Sequence, residues 1–109
     1  MSTNLAWAVL VAAGLLEIAW AVGIRYTDDW TRLGPSVLVV SAYLVDLYLL
    51  SIPMRRIPVG TAYAVWMGIG TVGVTLLGIA LFGEKASLAR LGCVALILAG
   101  VAGLKLLEA

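Results

Sequence analysis

The sequence predicts an all-α membrane protein with four transmembrane helices. Three observations carry this. Hydrophobic residues make up 63% of the chain, and mean hydropathy is +1.11. Charged residues make up 12%, about half the share of a soluble domain. The apolar residues gather in four runs, each about long enough to cross the ~30 Å hydrocarbon core as a helix. The expected helices fall at about 5–24, 34–52, 58–82 and 87–107 of a single transmembrane domain covering 1–109.

The first run, Leu5–Ile24, contains one ionisable side chain, Glu17. Met1–Asn4 has no basic residue, and the run is too long for the apolar core of a signal peptide. A membrane span is therefore expected here. Arg25–Arg32 follows as a short polar loop. Tyr26 and Trp30 suit the membrane interface, and Asp28 and Asp29 read as solvated loop residues.

The second run is Leu33–Ile52. Pro35 near its start is tolerated, because the first turn of a helix leaves its N–H groups unpaired anyway. Pro53 and Pro58 stop helices, and Arg55 and Arg56 between them mark water or headgroups. The third run, Ile57–Phe82, is rich in glycine. Gly83-Glu84-Lys85 then turns the chain into the fourth, from about Leu88 to Leu107. Arg90 and Lys105 near its ends can snorkel to the two surfaces. Cys93 is the single cysteine, which excludes an internal disulfide; a buried small residue is its expected role.

Four spans put both termini on one side. Arg25, Arg32, Lys85 and Arg90 mark the opposite surface, and Arg55, Arg56 and Lys105 the terminal one, 4 cations against 3. Orientation follows an excess of cations on one side, and here the excess nearly vanishes. Insertion in both orientations, and pairing as an antiparallel dual-topology dimer, are expected. Such a dimer supplies the inverted repeats on which alternating access is often built.

Three helix faces carry chemistry. Glu17 lies past the middle of its span, where an ionised acid costs at least a few kcal/mol. It must face protein or water, find a partner, or hold a proton. The alternative is a neutral acid hydrogen-bonded between helices. Ala13 and Gly14 precede Glu17 by one turn, and Trp20 and Ala21 follow by one turn. Small residues admit a neighbour, and an acid beside an indole suits an organic cation. Trp20 can also be read as an interfacial belt residue, as Trp7 is expected to be.

On the second helix Tyr43 and Asp46 share a face. Counting residues from the terminal side puts Glu17 about 18 Å deep and Asp46 about 9 Å. The two acids are then offset within one subunit, and Asp46 approaches Glu17 of an antiparallel partner. Alternatively Asp46 faces water near Arg55 and Arg56. On the third helix Tyr63 and Trp66 share a face, followed by Gly70. A Tyr hydroxyl can bond a carboxylate and Trp can line a cation pocket, although aromatics at helical spacing are more often packing. Gly68 and Gly70 form either a hinge or a close-packing patch. The fourth helix has no charge between Arg90 and Lys105, and helix association is its expected task.

Taken together, Gly14-Leu-Leu-Glu17-Ile-Ala-Trp20, Thr31-Arg-Leu-Gly-Pro-Ser36 and Pro58-Val-Gly-Thr-Ala-Tyr-Ala-Val-Trp66 with Gly68-Ile-Gly70 resemble the small multidrug resistance family. The resemblance covers nearly the whole chain. It implies proton-coupled export of cations by an antiparallel dimer. It also implies that Glu17 is the shared proton and substrate site, with Tyr63 and Trp66 as pocket aromatics. Trp20 resembles the guanidinium-exporter subtype. Two residues depart from that subtype: Asp46 stands where those exporters place a serine, and Tyr43 looks more like the multidrug members.

The expected activity is antiport of protons against small organic cations, guanidinium or guanidinyl compounds foremost, across the inner cell membrane. The departures keep open a polyspecific exporter of quaternary ammoniums or polyamines, or one subunit of a heterodimer. Outside this class stand a passive channel and a non-transporting membrane subunit. A net charge of +1 gives no reason to expect nucleic-acid binding. The absence of histidine removes a Ser/His triad and the usual zinc sites. No nucleophile–base pair or cofactor motif points to an enzyme, and no cofactor or metal is expected.

Overall fold

A computed structural model describes residues 1–108, the last of them in backbone only. The described chain forms four long helices, α1 (Thr3–Gly23), α2 (Leu33–Ser51), α3 (Val59–Phe82) and α4 (Leu88–Glu108). All four are long and apolar enough to cross a membrane. Short 3-10 turns, Ile24–Thr27 and Pro53–Arg55, follow α1 and α2.

The helix ends follow local chemistry. α1 starts two residues before the apolar run because the Ser2 hydroxyl accepts from the Leu5 N–H at 3.1 Å. The Ser87 hydroxyl does the same for the Arg90 N–H at 3.1 Å, so α4 starts at Leu88. Pro58 sits outside α3 with an extended backbone and caps it. Gly83 ends α3 in the left-handed region at φ 65°, where its N–H reaches the Gly78 carbonyl.

The first loop is tighter than its composition shows. Asp28, Asp29 and Trp30 all have positive φ, at 49°, 60° and 68°. Aspartate tolerates this region, but tryptophan does so only when held. The buried Thr27 hydroxyl donates to the Ile24 carbonyl at 2.8 Å and accepts from the Trp30 N–H at 3.2 Å. The Arg32 N–H closes the turn on the Thr27 carbonyl at 3.0 Å.

α1 is central and packs against both α2 and α3. Its buried face is a helical stripe, Ala6, Leu10, Ala13 and Gly14, that continues into Glu17. Trp7, Leu10, Leu50, Ile57, Val65 and Trp66 fill the core, which lies in the half of the molecule nearer the termini. Trp7 is thus a core residue, not a belt residue. Its indole ring is 6% exposed and carries the Lys105 Nζ 4.8 Å from its centroid. At the other end Arg25 lies over Phe82 at 4.6 Å, which ties the first loop to the end of α3. Lys105 and Arg25 thus lie at opposite ends of the bundle.

α4 packs mainly on α3 and reaches Trp7 of α1 only through Lys105 near its end, and only 6% of its apolar window is buried, against 33% for α1 and α3. This corrects the expectation for Cys93. It is exposed, because it lies on a helix whose packing is confined mainly to α3. The exposed side of α4 can meet only lipid or another protein.

Three glycines set how closely the helices approach. A Cβ at Gly14 would lie 2.8 Å from Ile69 of α3. A Cβ at Gly68 would meet Val101 of α4, and one at Gly70 would overlap the Glu17 carboxyl. α3 runs unbroken through Gly68 and Gly70. Gly14→Val is expected to destabilise the protein by about 1–3 kcal/mol, because the α1–α3 seam must open. Gly60→Ala meets nothing within 4 Å and should leave the unfolding temperature in detergent unchanged or slightly raised. Equal shifts for the two variants would contradict this packing.

Candidate functional site

Beyond the core, the three helices α1, α2 and α3 converge on two acids. Glu17 is 7% exposed and Asp46 0%. The Trp20 indole N–H donates to Asp46 Oδ2 at 2.8 Å, and the Trp66 indole N–H donates to the same oxygen at 3.3 Å. One carboxylate oxygen thus links all three helices. The Trp20 and Tyr43 rings meet edge-to-face with centroids 5.0 Å apart, and Tyr63 leans on Trp66 at 5.7 Å.

The depth count mislocated Asp46. The acid is not offset from the helix-one site; it bonds to its own subunit's Trp20. Side-chain direction is part of the physical reason. A helical side chain leans toward the N-terminus of its helix. α1 and α2 are antiparallel, so the deeper Trp20 leans back and the shallower Asp46 leans forward, and the two meet. The reading of Asp46 as a water-facing residue near Arg55 and Arg56 is excluded by its burial.

Glu17 is less well held. Its carboxyl lies against Gly70, where the absence of a Cβ makes room for it. Its Oε1 is buried without a hydrogen-bond partner among the described residues, as is Asp46 Oδ1. The alternative of an acid bonded between helices through Oε1 therefore finds no support. The ion pair among the described residues is Arg90–Glu84 at the surface, at 2.8 Å, and no cationic side chain pairs with either buried acid.

Glu17 opens onto a cleft of about 250 Å³ between α1 and α3, lined by Ala21, Gly70, Thr71, Val74 and Thr75. Thr71 and Thr75 went unread in the sequence. Two hydroxyl residues one turn apart in an apolar run were the available signal. Tyr43 and Tyr63 stand 39% and 51% exposed at the edge of the group. Gly14 and Gly68 lie outside it and act on helix spacing. Among the described residues no group of His, Cys, Asp and Glu has the makings of a metal site.

Two buried acids, two indoles and two phenol rings form an arrangement suited to an organic cation. Residues 5–97 match the family model described as Small Multidrug Resistance protein. The chain belongs to that family. Curated relatives include proteins named Guanidinium exporter from Citrobacter freundii and from Salmonella typhimurium. Each is 55% identical over 102 residues, which is 94% of this chain and 97% of the relative. A Guanidinium exporter from Yersinia pestis is 53% identical over 94% of this chain and 98% of its own length. The family match spans Glu17, Trp20, Tyr43, Asp46, Tyr63 and Trp66.

The site geometry separates two substitutions at Asp46. Asp46→Asn keeps an acceptor for the two indoles, whereas Asp46→Ala leaves both N–H groups without one. The alanine variant should be less stable than the asparagine variant by about 1–3 kcal/mol. Thermal unfolding in detergent checks this, and equal stabilities would mean that the indoles do not depend on Asp46.

Proposed function

We propose that this protein is a proton-coupled antiporter that exports guanidinium or small guanidinyl compounds. The observation that carries the reading is Glu17: a carboxyl buried mid-span, unpaired at one oxygen, and open to a cleft. The names of relatives about 55% identical supply the substrate class.

One site with two mutually exclusive occupants is enough. Glu17 binds either a proton or a cation. When the site faces outward, protons arrive and the cation leaves; when it faces inward, the cation displaces the protons. A planar guanidinium matches a carboxylate through paired N–H donors, and the indole faces of Trp20 and Trp66 offer cation–π attraction. Tyr43 and Tyr63 close the sides of the site.

The working unit in this reading is an antiparallel homodimer in the inner membrane. The balanced loop charges, the exposed α4 and the half-open Glu17 cleft support it. Gly68 and Gly70 then serve as the flexible stretch of α3 during alternation. Asp46 and Tyr43 favour a second reading within the same class, in which larger or more highly charged cations are carried.

Glu17→Gln should abolish proton-driven guanidinium uptake into proteoliposomes while leaving the protein folded. Retained proton-driven uptake in that variant would sink the assignment. Because proton and cation compete, lowering the pH should weaken guanidinium binding, by up to about tenfold per pH unit for one proton displaced. Binding that strengthens as pH falls would contradict competition at a carboxylate.

A further inference from the structure

Asp46 is more than a departure in sequence. It is fully buried, and nothing cationic in the described chain pairs with it. Its Oδ2 is engaged by two indole N–H groups, while its Oδ1 has no partner. Glu17, one turn from Trp20 along α1, presents a second unpartnered oxygen, and each acid is more than nine-tenths buried. Two buried carboxyl groups thus sit on packed neighbouring helices, α1 and α2, each with an acceptor left over.

A monocation on Glu17 leaves this balance incomplete. Asp46 would stay buried with an unmet acceptor and an uncompensated charge, or would need a proton. Uncompensated buried charge is among the most costly arrangements in a protein. A ligand with two positive groups removes both deficits together.

We infer that Asp46 is a second cation-binding carboxylate of the same site, and that the preferred ligand is a guanidinium joined to an amine by a short alkyl chain. This rests on the antiporter reading and names its substrate class. The guanidinium fork pairs with Glu17, and the ammonium meets Asp46 Oδ1. The two indoles hold Asp46 Oδ2, so that Oδ1 is the oxygen left to the ligand. Trp20 and Trp66 thereby position the acid as well as facing the cation.

The test uses a matched pair of probes, butylguanidinium and its 4-amino derivative. Their affinities for the detergent-purified full chain are compared by calorimetry. The wild-type protein should bind the doubly charged probe at least about tenfold more tightly. Asp46→Asn keeps an acceptor for the indoles but removes the charge, and its ratio should fall toward one. Asp46→Ser should behave alike. A wild-type ratio near one, or a ratio that survives both substitutions, would overturn the inference and leave guanidinium export standing. Failure of both probes and of guanidinium itself to bind the wild-type protein would overturn the antiporter reading and this inference together. A wild-type ratio near one overturns the inference even if neither variant folds.

Discussion

The burial of two carboxyl groups in an apolar bundle is the constraint on which the rest of the structure depends. Each would cost at least a few kcal/mol in its ionised form at this depth. The fold answers only part of that demand. Two indole N–H groups satisfy one oxygen of Asp46, and a glycine opposite makes room for Glu17. The unsatisfied remainder, Glu17 Oε1 and Asp46 Oδ1, is where a proton or a cation has something to gain.

The packed core adjoins this point, and Trp66 belongs to both. Trp7, Leu10, Leu50, Ile57, Val65 and Trp66 form a packed core near the termini. Glu17 caps the same stripe of α1 and faces a cleft on its far side. One end of α1 is thus anchored while the site end stays open. α4 takes almost no part in the core, so its apolar face is left for lipid or for a second copy. The proposed dimer follows from this division. Three helices build the site, and the fourth is available for association.

Much of this was legible in the sequence. The four spans followed from run length, and Pro53, Pro58 and Gly83 fixed their breaks. The i, i+3 pairs on three helices singled out Trp20, Tyr43, Asp46 and Trp66, but the residue count set Asp46 apart from the Trp20 that it bonds. What failed depended on directions and neighbours that spacing does not contain. Counting residues gives a Cα depth along an ideal upright helix, and neither helix tilt nor the lean of side chains in antiparallel helices enters that count, yet Trp20 and Asp46 meet. Trp7 near a helix end reads as interfacial, yet it is buried in the same core cluster as Ile57, Val65 and Trp66. Cys93 in an apolar run reads as buried, yet its helix buries little of its surface. The left-handed run Asp28–Trp30 rests on a Thr27 hydroxyl that no local pattern announces.

The central claim is that proton and cation exclude each other at Glu17. The most direct measurement is proton release when guanidinium is added to the purified protein in weakly buffered detergent solution. The account predicts that protons are released in proportion to bound guanidinium near neutral pH, and that Glu17→Gln abolishes the release. Guanidinium binding with no proton release, or with release undiminished in Glu17→Gln, would contradict it.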